Sequence, residues 1–87
     1  MKRVRFTIKA PKAKQVLLAA DFTDWEANAR RMRPSRTERG AFTAIVPLEP
    51  GTYQYKFLVD GEWREDPSAA TIPNSFGTLN SVVRVEA

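Results

Sequence analysis

Two residue types that carry much of protein chemistry are missing from this chain of 87 residues, which contains neither cysteine nor histidine. Without cysteine there is no disulfide framework and no thiol chemistry. Without histidine the chain lacks the commonest general base and the commonest metal ligand. We therefore expect a protein that uses no metal and no cofactor. The lack of cysteine also fits a reducing compartment.

Long apolar runs are missing as well. No segment approaches the roughly 18 apolar residues of a membrane span. The opening "MKRVRFTIKA" is charged, but it lacks the apolar run of a signal peptide. We expect a cytoplasmic protein without a membrane partner. The length corresponds to one domain, which we place at residues 1–87.

Basic charge is what the chain has in excess. The formal net charge is +4, and five arginines crowd into "ARRMRPSRTERG": Arg30, Arg31, Arg33, Arg36 and Arg39. Such a cluster either binds phosphate groups or lies in a solvated loop. Because no nucleic-acid-binding motif accompanies the arginines, the pattern favours the solvated loop, and we do not expect a nucleic-acid partner.

Alternating apolar and polar residues predict short strands along most of the chain. Residues 66–78, "DPSAATIPNSFGT", are punctuated by proline and glycine and predict an extended loop. The pattern as a whole predicts an all-β fold, an antiparallel β-sandwich of six to eight short strands. The apolar positions of the predicted strands are Val4, Phe6 and Ile8; Val16, Leu18 and Ala20; Phe42, Ala44, Val46 and Leu48; Tyr53, Tyr55, Phe57 and Val59; and Val83 and Val85.

The segment "VDGEWREDP" raises the question of what Trp63 does between two charged residues. Asp60-Gly61 is a strong two-residue hairpin signal, so Leu58 should pair with Trp63. Tyr53, Tyr55, Phe57 and Val59 then face the core, and Trp63 shares the outer face with Gln54, Lys56 and Leu58. On that face Trp63 either covers Leu58 under a cation–π contact from Lys56 or offers a flat platform to a ligand.

Two further segments favour the platform. Trp25 in "ADFTDWEAN" is also a tryptophan among polar neighbours, and two such residues in a small domain are unusual. In "SFGTLNS" the residues Phe76, Thr78 and Asn80 alternate, which would place a ring, a hydroxyl and an amide on one face. Phe76 as an ordinary core residue is the alternative. Rings beside hydrogen-bonding groups suit an uncharged polyol such as a glucose chain.

The stretches "VLLAADFTDW", "PGTYQYKFLVDGEW" and "DPS…FGTLNSVVRV" resemble carbohydrate-binding module family 48. Within it they are most similar to the glycogen-binding module of AMP-activated protein kinase β subunits, and the family also includes N-terminal domains of isoamylases and branching enzymes. The resemblance runs from about Val16 to Val85. It implies an immunoglobulin-like (E-set) β-sandwich that binds α-1,4-glucans such as glycogen and starch.

The resemblance also implies a set of sugar-contacting residues. Trp25 and Trp63 match the stacking tryptophans, Lys56 matches the lysine of the YKF segment, and Thr78 and Asn80 match hydrogen-bonding residues. Phe76 stands where the kinase module has a leucine that protrudes through a curved glucan, so the preferred curvature can differ. The basic stretch "EANARRMRPSRTERG" is longer than the family pattern, and it can alter access beside Trp25.

Four classes of function remain in view, and the weakest is a nucleic-acid-binding module, which rests only on the arginines and the exposed rings. The first is a non-catalytic module that binds an α-glucan oligosaccharide or polysaccharide. The second is a scaffold that docks a kinase or a glucan-metabolising enzyme without binding sugar itself. The third is an enzyme, since acidic pairs occur in "ADFTDWE" and "DGEWRED" and a glycosidase needs two carboxylates at a fixed gap. Acidic residues beside turns are usually solvated, so we expect the protein not to be an enzyme.

Overall fold

The structure, a computed structural model of the chain, describes all 87 residues, Met1–Ala87. Nine strands and two short 3₁₀ turns, Asp21–Thr23 and Trp25–Asn28, make up its regular structure. No helix is long and apolar enough to cross a membrane. The strands are β1 (Lys2–Lys9), β2 (Val16–Ala20), β3 (Arg30–Arg31), β4 (Arg33–Pro34), β5 (Ala41–Leu48), β6 (Gly51–Val59), β7 (Glu62–Arg64), β8 (Ala70–Pro73) and β9 (Leu79–Val85).

The strands form two antiparallel sheets, which confirms the predicted all-β sandwich. The smaller sheet has the order β1-β5-β4, and the larger has the order β3-β2-β6-β9-β8 with β7 also paired to β6. Two of the nine strands have only two residues each, so seven strands have three or more. Strand β6 is the centre of the larger sheet, because β2, β7 and β9 all pair with it.

The core lies between the sheets and contains the apolar positions that alternation predicted. Phe6 packs edge-on against Tyr55 with ring centroids 4.9 Å apart, and Tyr55 packs edge-on against Phe57 at 5.7 Å. Edge-to-face aromatic pairs at this separation stabilise a core beyond the burial of their area. The buried residues of this cluster are Phe6, Ile8, Ala10, Val16, Leu18, Ala20, Met32, Val46, Leu48, Tyr55, Phe57, Val59 and Val85.

The β6–β7 hairpin has the predicted register. Leu58 pairs with Trp63, and both loop residues adopt positive φ, 47° at Asp60 and 85° at Gly61. These values belong to the type I′ turn, whose twist matches that of the strands. The Asp60 carboxylate also accepts the backbone N–H groups of Lys14 at 2.9 Å and Gln15 at 2.8 Å. The turn is therefore tied to the β1–β2 connection.

The prediction of an extended loop over residues 66–78 is wrong in part, because β8 lies within it and pairs with β9. All four residues of β8 are exposed at the edge of the sheet. The strand has four residues and ends in Pro73, and a proline in so short a run argues against a strand, which is why the pattern did not predict it. In the basic stretch the five arginines are exposed, while Met32 between β3 and β4 is buried.

Candidate functional site

The outward face of the larger sheet carries the residues that the hairpin argument grouped together. Paired residues of antiparallel strands point to the same side. Since Tyr55 and Phe57 face the core, their neighbours Lys56 and Leu58 face outward, and Trp63 joins them through its pairing with Leu58. Trp63 is 42% exposed. Its indole therefore lies on the surface, as predicted.

Lys56 occupies the point at which β6 changes partner. Strand β9 pairs with β6 as far as Tyr55, and β7 pairs with it from Phe57 onward. The β7–β8 connection and the β8–β9 connection both approach Lys56 at this point. The Lys56 Nζ atom lies 3.3 Å from Thr78 Oγ1 and 3.6 Å from a carboxylate oxygen of Glu65.

These contacts argue against the alternative of a cation–π contact between Lys56 and Trp63. The ammonium is directed toward Thr78 and Glu65, and only 7% of Lys56 is exposed. The residue is thus far more buried than a lysine at the rim of a ligand platform would be. Its visible role is to hold Thr78 and Glu65 in place.

Residues 75–78 form a turn rather than the predicted extended segment, with φ of 80° at Gly77. The turn is organised by Asn74. Its Oδ1 accepts the N–H groups of Phe76 at 3.0 Å and Thr78 at 3.1 Å. Its Nδ2 donates to Thr78 Oγ1 at 2.8 Å and to Asn80 Oδ1 at 2.9 Å. Thr78 and Asn80 are therefore brought together, although not by strand alternation.

Phe76 lies at the tip of this turn and is 89% exposed. The alternative of Phe76 as a core residue is therefore wrong. Because the N–H of Phe76 is bonded to the Asn74 side chain, the backbone under the ring is held in place. The turn thus presents a bare phenyl ring beside the Thr78 hydroxyl.

The polar groups continue toward the centre of the sheet. Asn80 Nδ2 donates to Gln54 Oε1 at 3.0 Å, so hydrogen bonds run from Lys56 through Thr78, Asn74 and Asn80 to Gln54. We call these five residues the polar row. Each member is fixed by at least one other side chain, so the row is preorganised before any ligand arrives.

Trp25 belongs to a different segment. It follows the end of β2, where the Asp21 carboxylate accepts the N–H of Gln54 at 3.0 Å. Asp24 and Trp25 both have positive φ, 54° and 55°, and Thr23 Oγ1 lies 2.8 Å from the Trp25 carbonyl oxygen. Trp25 is partly buried, and no hydrogen bond or ring pair joins it to the other five predicted residues.

A buried network under β6 supports the chain beside the polar row. The Tyr55 hydroxyl donates to Asp66 Oδ2 at 2.7 Å, and the Asp66 N–H donates to Ser81 Oγ at 2.7 Å. Burial raises the pKa of the Tyr55 phenol above its usual range, and the hydrogen bond to Asp66 and the charge of that carboxylate act in the same direction. Asp66 follows directly after Glu65, so the network holds the segment that reaches Lys56.

Sequence reasoning missed Asn74, Glu65 and Asp66. A local signal existed for Asn74, because asparagine at the first position of a turn and glycine at the fourth is a type I pattern, here Asn74 and Gly77. Glu65 and Asp66 had no comparable signal. Their contacts depend on where β7 ends relative to β9, which is a property of the folded sheet.

The candidate site is an open face and not a cleft. Two concavities, of about 420 and 560 Å³, lie elsewhere, and none of the six predicted residues lines either one. No group of three or more acidic, histidine or cysteine side chains is placed to hold a metal ion. The arrangement offers a flat ring, an exposed ring and fixed hydrogen-bonding groups, which is the equipment of a binding surface.

The fold and this face define an all-β module with an aromatic and hydrogen-bonding outer surface. A family model described as the glycogen recognition site of AMP-activated protein kinase matches residues 3–87. The chain belongs to this family, and the resemblance seen in the sequence is confirmed.

Individual relatives agree with the family. The chain is 37% identical over 73 residues to the 5'-AMP-activated protein kinase subunit beta-1 of Sus scrofa, which covers 84% of this chain and 56% of the relative. It is 36% identical to the beta-1 subunit of Homo sapiens and 34% identical to the beta-2 subunit of Mus musculus. In those two the match covers 25% and 26% of the relative, so the chain spans a quarter to just over half of these proteins.

Proposed function

We propose that residues 1–87 work as a single, non-catalytic domain that binds α-1,4-glucans such as glycogen, starch chains or maltooligosaccharides. Glucose rings stack on Trp25 and Trp63. Lys56, Thr78 and Asn80 supply or support the hydrogen bonds, and Phe76 protrudes toward the glucan. One observation carries the proposal: the preorganised polar row lies on the same open face as the half-exposed indole of Trp63.

The chemistry of the two partners is complementary. A glucose ring has a C–H patch that packs on an indole and hydroxyls around its rim that need fixed donors and acceptors. If each indole removes about 60–80 Å² of sugar from water, it contributes about 1.5–2 kcal/mol at ~25 cal/mol/Å². Since ordering the ligand opposes binding, one glucose should bind poorly. An oligosaccharide should reach a Kd of roughly 10–1000 μM.

The dimensions of the face also favour an oligosaccharide. Gln54 adjoins the segment that leads to Trp25, and Leu58 pairs with Trp63. These two positions on β6 are about 13 Å apart at ~3.3 Å per residue. A ligand that engages both ends of the face must span that length.

A second candidate is a docking scaffold, which the names of the relatives favour. Those relatives are subunits of a protein kinase, so a kinase or a glucan-metabolising enzyme is the partner that this candidate implies. The scaffold candidate predicts no response to sugar. A cytoplasmic location remains a prediction for either candidate.

Titration with β-cyclodextrin and maltoheptaose tests the proposal. We expect intrinsic tryptophan fluorescence to change and to saturate in the micromolar to millimolar range. Trp63→Ala and Trp25→Ala should each remove most of the response. Ile45→Ala is the matched control, because Ile45 is an apolar residue of the smaller sheet and is 41% exposed, nearly as much as Trp63.

Three outcomes separate the candidates. Saturable binding that Trp63→Ala abolishes and Ile45→Ala preserves supports the glucan module. A folded domain that responds to no α-glucan contradicts it and leaves the scaffold ahead. Shortening of maltoheptaose during a long incubation with pure protein would contradict the non-catalytic assignment.

A further inference from the structure

The direction of each hydrogen bond in the polar row can be worked out without ambiguity. Backbone N–H groups only donate, so the Asn74 side-chain atom that contacts the N–H groups of Phe76 and Thr78 must be its oxygen. Its nitrogen then supplies both protons to the other two partners, Thr78 Oγ1 and Asn80 Oδ1. The orientation of the Asn74 amide is thereby fixed by the backbone.

The Thr78 hydroxyl has one hydrogen-bonding group left without a partner, its proton. A hydroxyl has two acceptor lone pairs and one proton. Both lone pairs are occupied, one by Asn74 Nδ2 at 2.8 Å and one by Lys56 Nζ at 3.3 Å, and an ammonium can only donate. The hydroxyl proton has no acceptor within the protein. Since Thr78 is exposed, this proton is available to a ligand.

Gln54 ends the polar row, and its amide orientation is fixed by Asn80. Because Asn80 Oδ1 accepts from Asn74, Asn80 Nδ2 is the group that donates to Gln54, and the atom of Gln54 that receives it is the oxygen. Both protons of Gln54 Nε2 are then left without a partner in the chain. Gln54 is partly exposed on the outer face.

We propose that Asn74 is a positioning residue that makes the polar row a surface of donors, so that ligand hydroxyl oxygens in contact with Thr78 and Gln54 act as acceptors. This rests on the proposed glucan function and adds the polarity of recognition to it. A ligand in which one hydroxyl is replaced by an acceptor without a proton should therefore bind better than a ligand that lacks the hydroxyl altogether.

Ligand analogues test the polarity. We expect maltooligosaccharides with a deoxy position at the hydroxyl that contacts Thr78 to bind about threefold to tenfold more weakly than the parent. The deoxyfluoro analogue at that position, which keeps a weak acceptor, should recover part of this loss. With Thr78→Val the difference between the two analogues should disappear, and with Thr78→Ser it should persist. A deoxyfluoro analogue no better than the deoxy analogue at any position would overturn the proposal.

Substitution of Asn74 separates polarity from support of the turn. Asn74→Asp keeps an oxygen for the N–H groups of Phe76 and Thr78 but replaces the two outgoing protons by an acceptor. The hydroxyl of Thr78 should then turn inward and the amide of Asn80 should reverse. We expect the backbone amide NMR signals of the turn to stay close to those of the wild type while glucan affinity falls about tenfold. Asn74→Ala, which removes both functions, should lose affinity together with the turn.

A measurement without ligand distinguishes failure of this inference from failure of the glucan proposal. Both Asn74 Nδ2 protons are bonded, so its side-chain NMR signals should exchange with water more slowly than those of exposed Asn28. Fast exchange at Asn74 would overturn the inference whatever the ligand. Slow exchange with no glucan binding would support the orientation of the row and refute the proposed ligand. Glucan binding that Asn74→Asp leaves at the wild-type level would refute the inference alone.

Discussion

Trp63 and Lys56 lie on one face of the larger sheet but contribute to it in different ways. Trp63 is half-exposed and free to meet a ligand, whereas Lys56 beside it is almost wholly buried with its ammonium on Thr78 and Glu65. The lysine therefore acts on a ligand mainly through Thr78, whose lone pair it occupies. Its charge is compensated by Glu65, so the face gains a donor array without a large local field.

Replacing Lys56 should separate this supporting role from stability. Lys56→Met keeps the apolar stem and removes the ammonium, which frees a lone pair of Thr78. We expect glucan affinity to fall about threefold to tenfold. The free energy of unfolding should change by about 1 kcal/mol or less, because Glu65 remains in contact with water.

Calorimetric titration and urea unfolding measure the two effects. Lys9→Met is the control, since Lys9 is exposed on β1 of the other sheet. Equal glucan affinity in Lys56→Met and wild type would show that the ammonium has no part in recognition.

At the scale of elements, the strands were predictable and the connections that build the site were not. Alternation identified β1, β2, β5, β6 and β9, because alternate residues of each strand lie in the core or pack against it. Local turn chemistry gave the hairpin and its register. The turn at residues 75–78 depends on one asparagine side chain and β8 on pairing at an edge, and neither produces an apolar period.

The connection between β7 and β8 depends on the buried Tyr55–Asp66 pair, which gives a pH-dependent prediction. We expect Tyr55→Phe to lower the free energy of unfolding by about 1–3 kcal/mol at neutral pH, since the buried Asp66 oxygen loses its donor. The folded state favours the neutral phenol, so its pKa is raised above the unfolded value near 10. The stabilisation from Tyr55 is therefore complete below about pH 10 and declines as pH rises above it.

Urea unfolding of wild type and Tyr55→Phe across a pH series measures this. The difference in unfolding free energy should stay constant between about pH 6 and 9 and narrow above about pH 10. All residues other than residue 55 are the same in both proteins, so their contributions cancel in the difference. A difference that widens above pH 10 would mean that the buried pair prefers the ionised phenol.

At the scale of the whole molecule, basic side chains without an ion pair are concentrated on the smaller sheet. The strands of the smaller sheet carry five basic residues and no acidic ones, Lys2, Arg3, Arg5, Lys9 and Arg33. None of these side chains forms an ion pair within the chain. The strands of the larger sheet also carry five basic residues, but only Arg30 and Arg31 on β3 lack an ion pair, and the one cation of the polar row is paired. Net charge was readable from composition, but the distribution of unpaired basic residues between the two sheets required the fold, because strands distant in sequence alternate between the sheets.

This distribution predicts how binding responds to salt. A neutral glucan on the polar row displaces no condensed ions, so its Kd should change less than about twofold between 50 and 500 mM salt. A phosphate-bearing partner on the basic strands should instead lose affinity steeply over the same range. Parallel titrations of maltoheptaose and a phosphorylated glucan measure the contrast, with Arg5→Gln expected to affect only the second. If the affinity for maltoheptaose itself falls tenfold with salt, charge takes part in recognition. The polar row, in which Glu65 compensates the lysine, is then not the surface that binds the glucan.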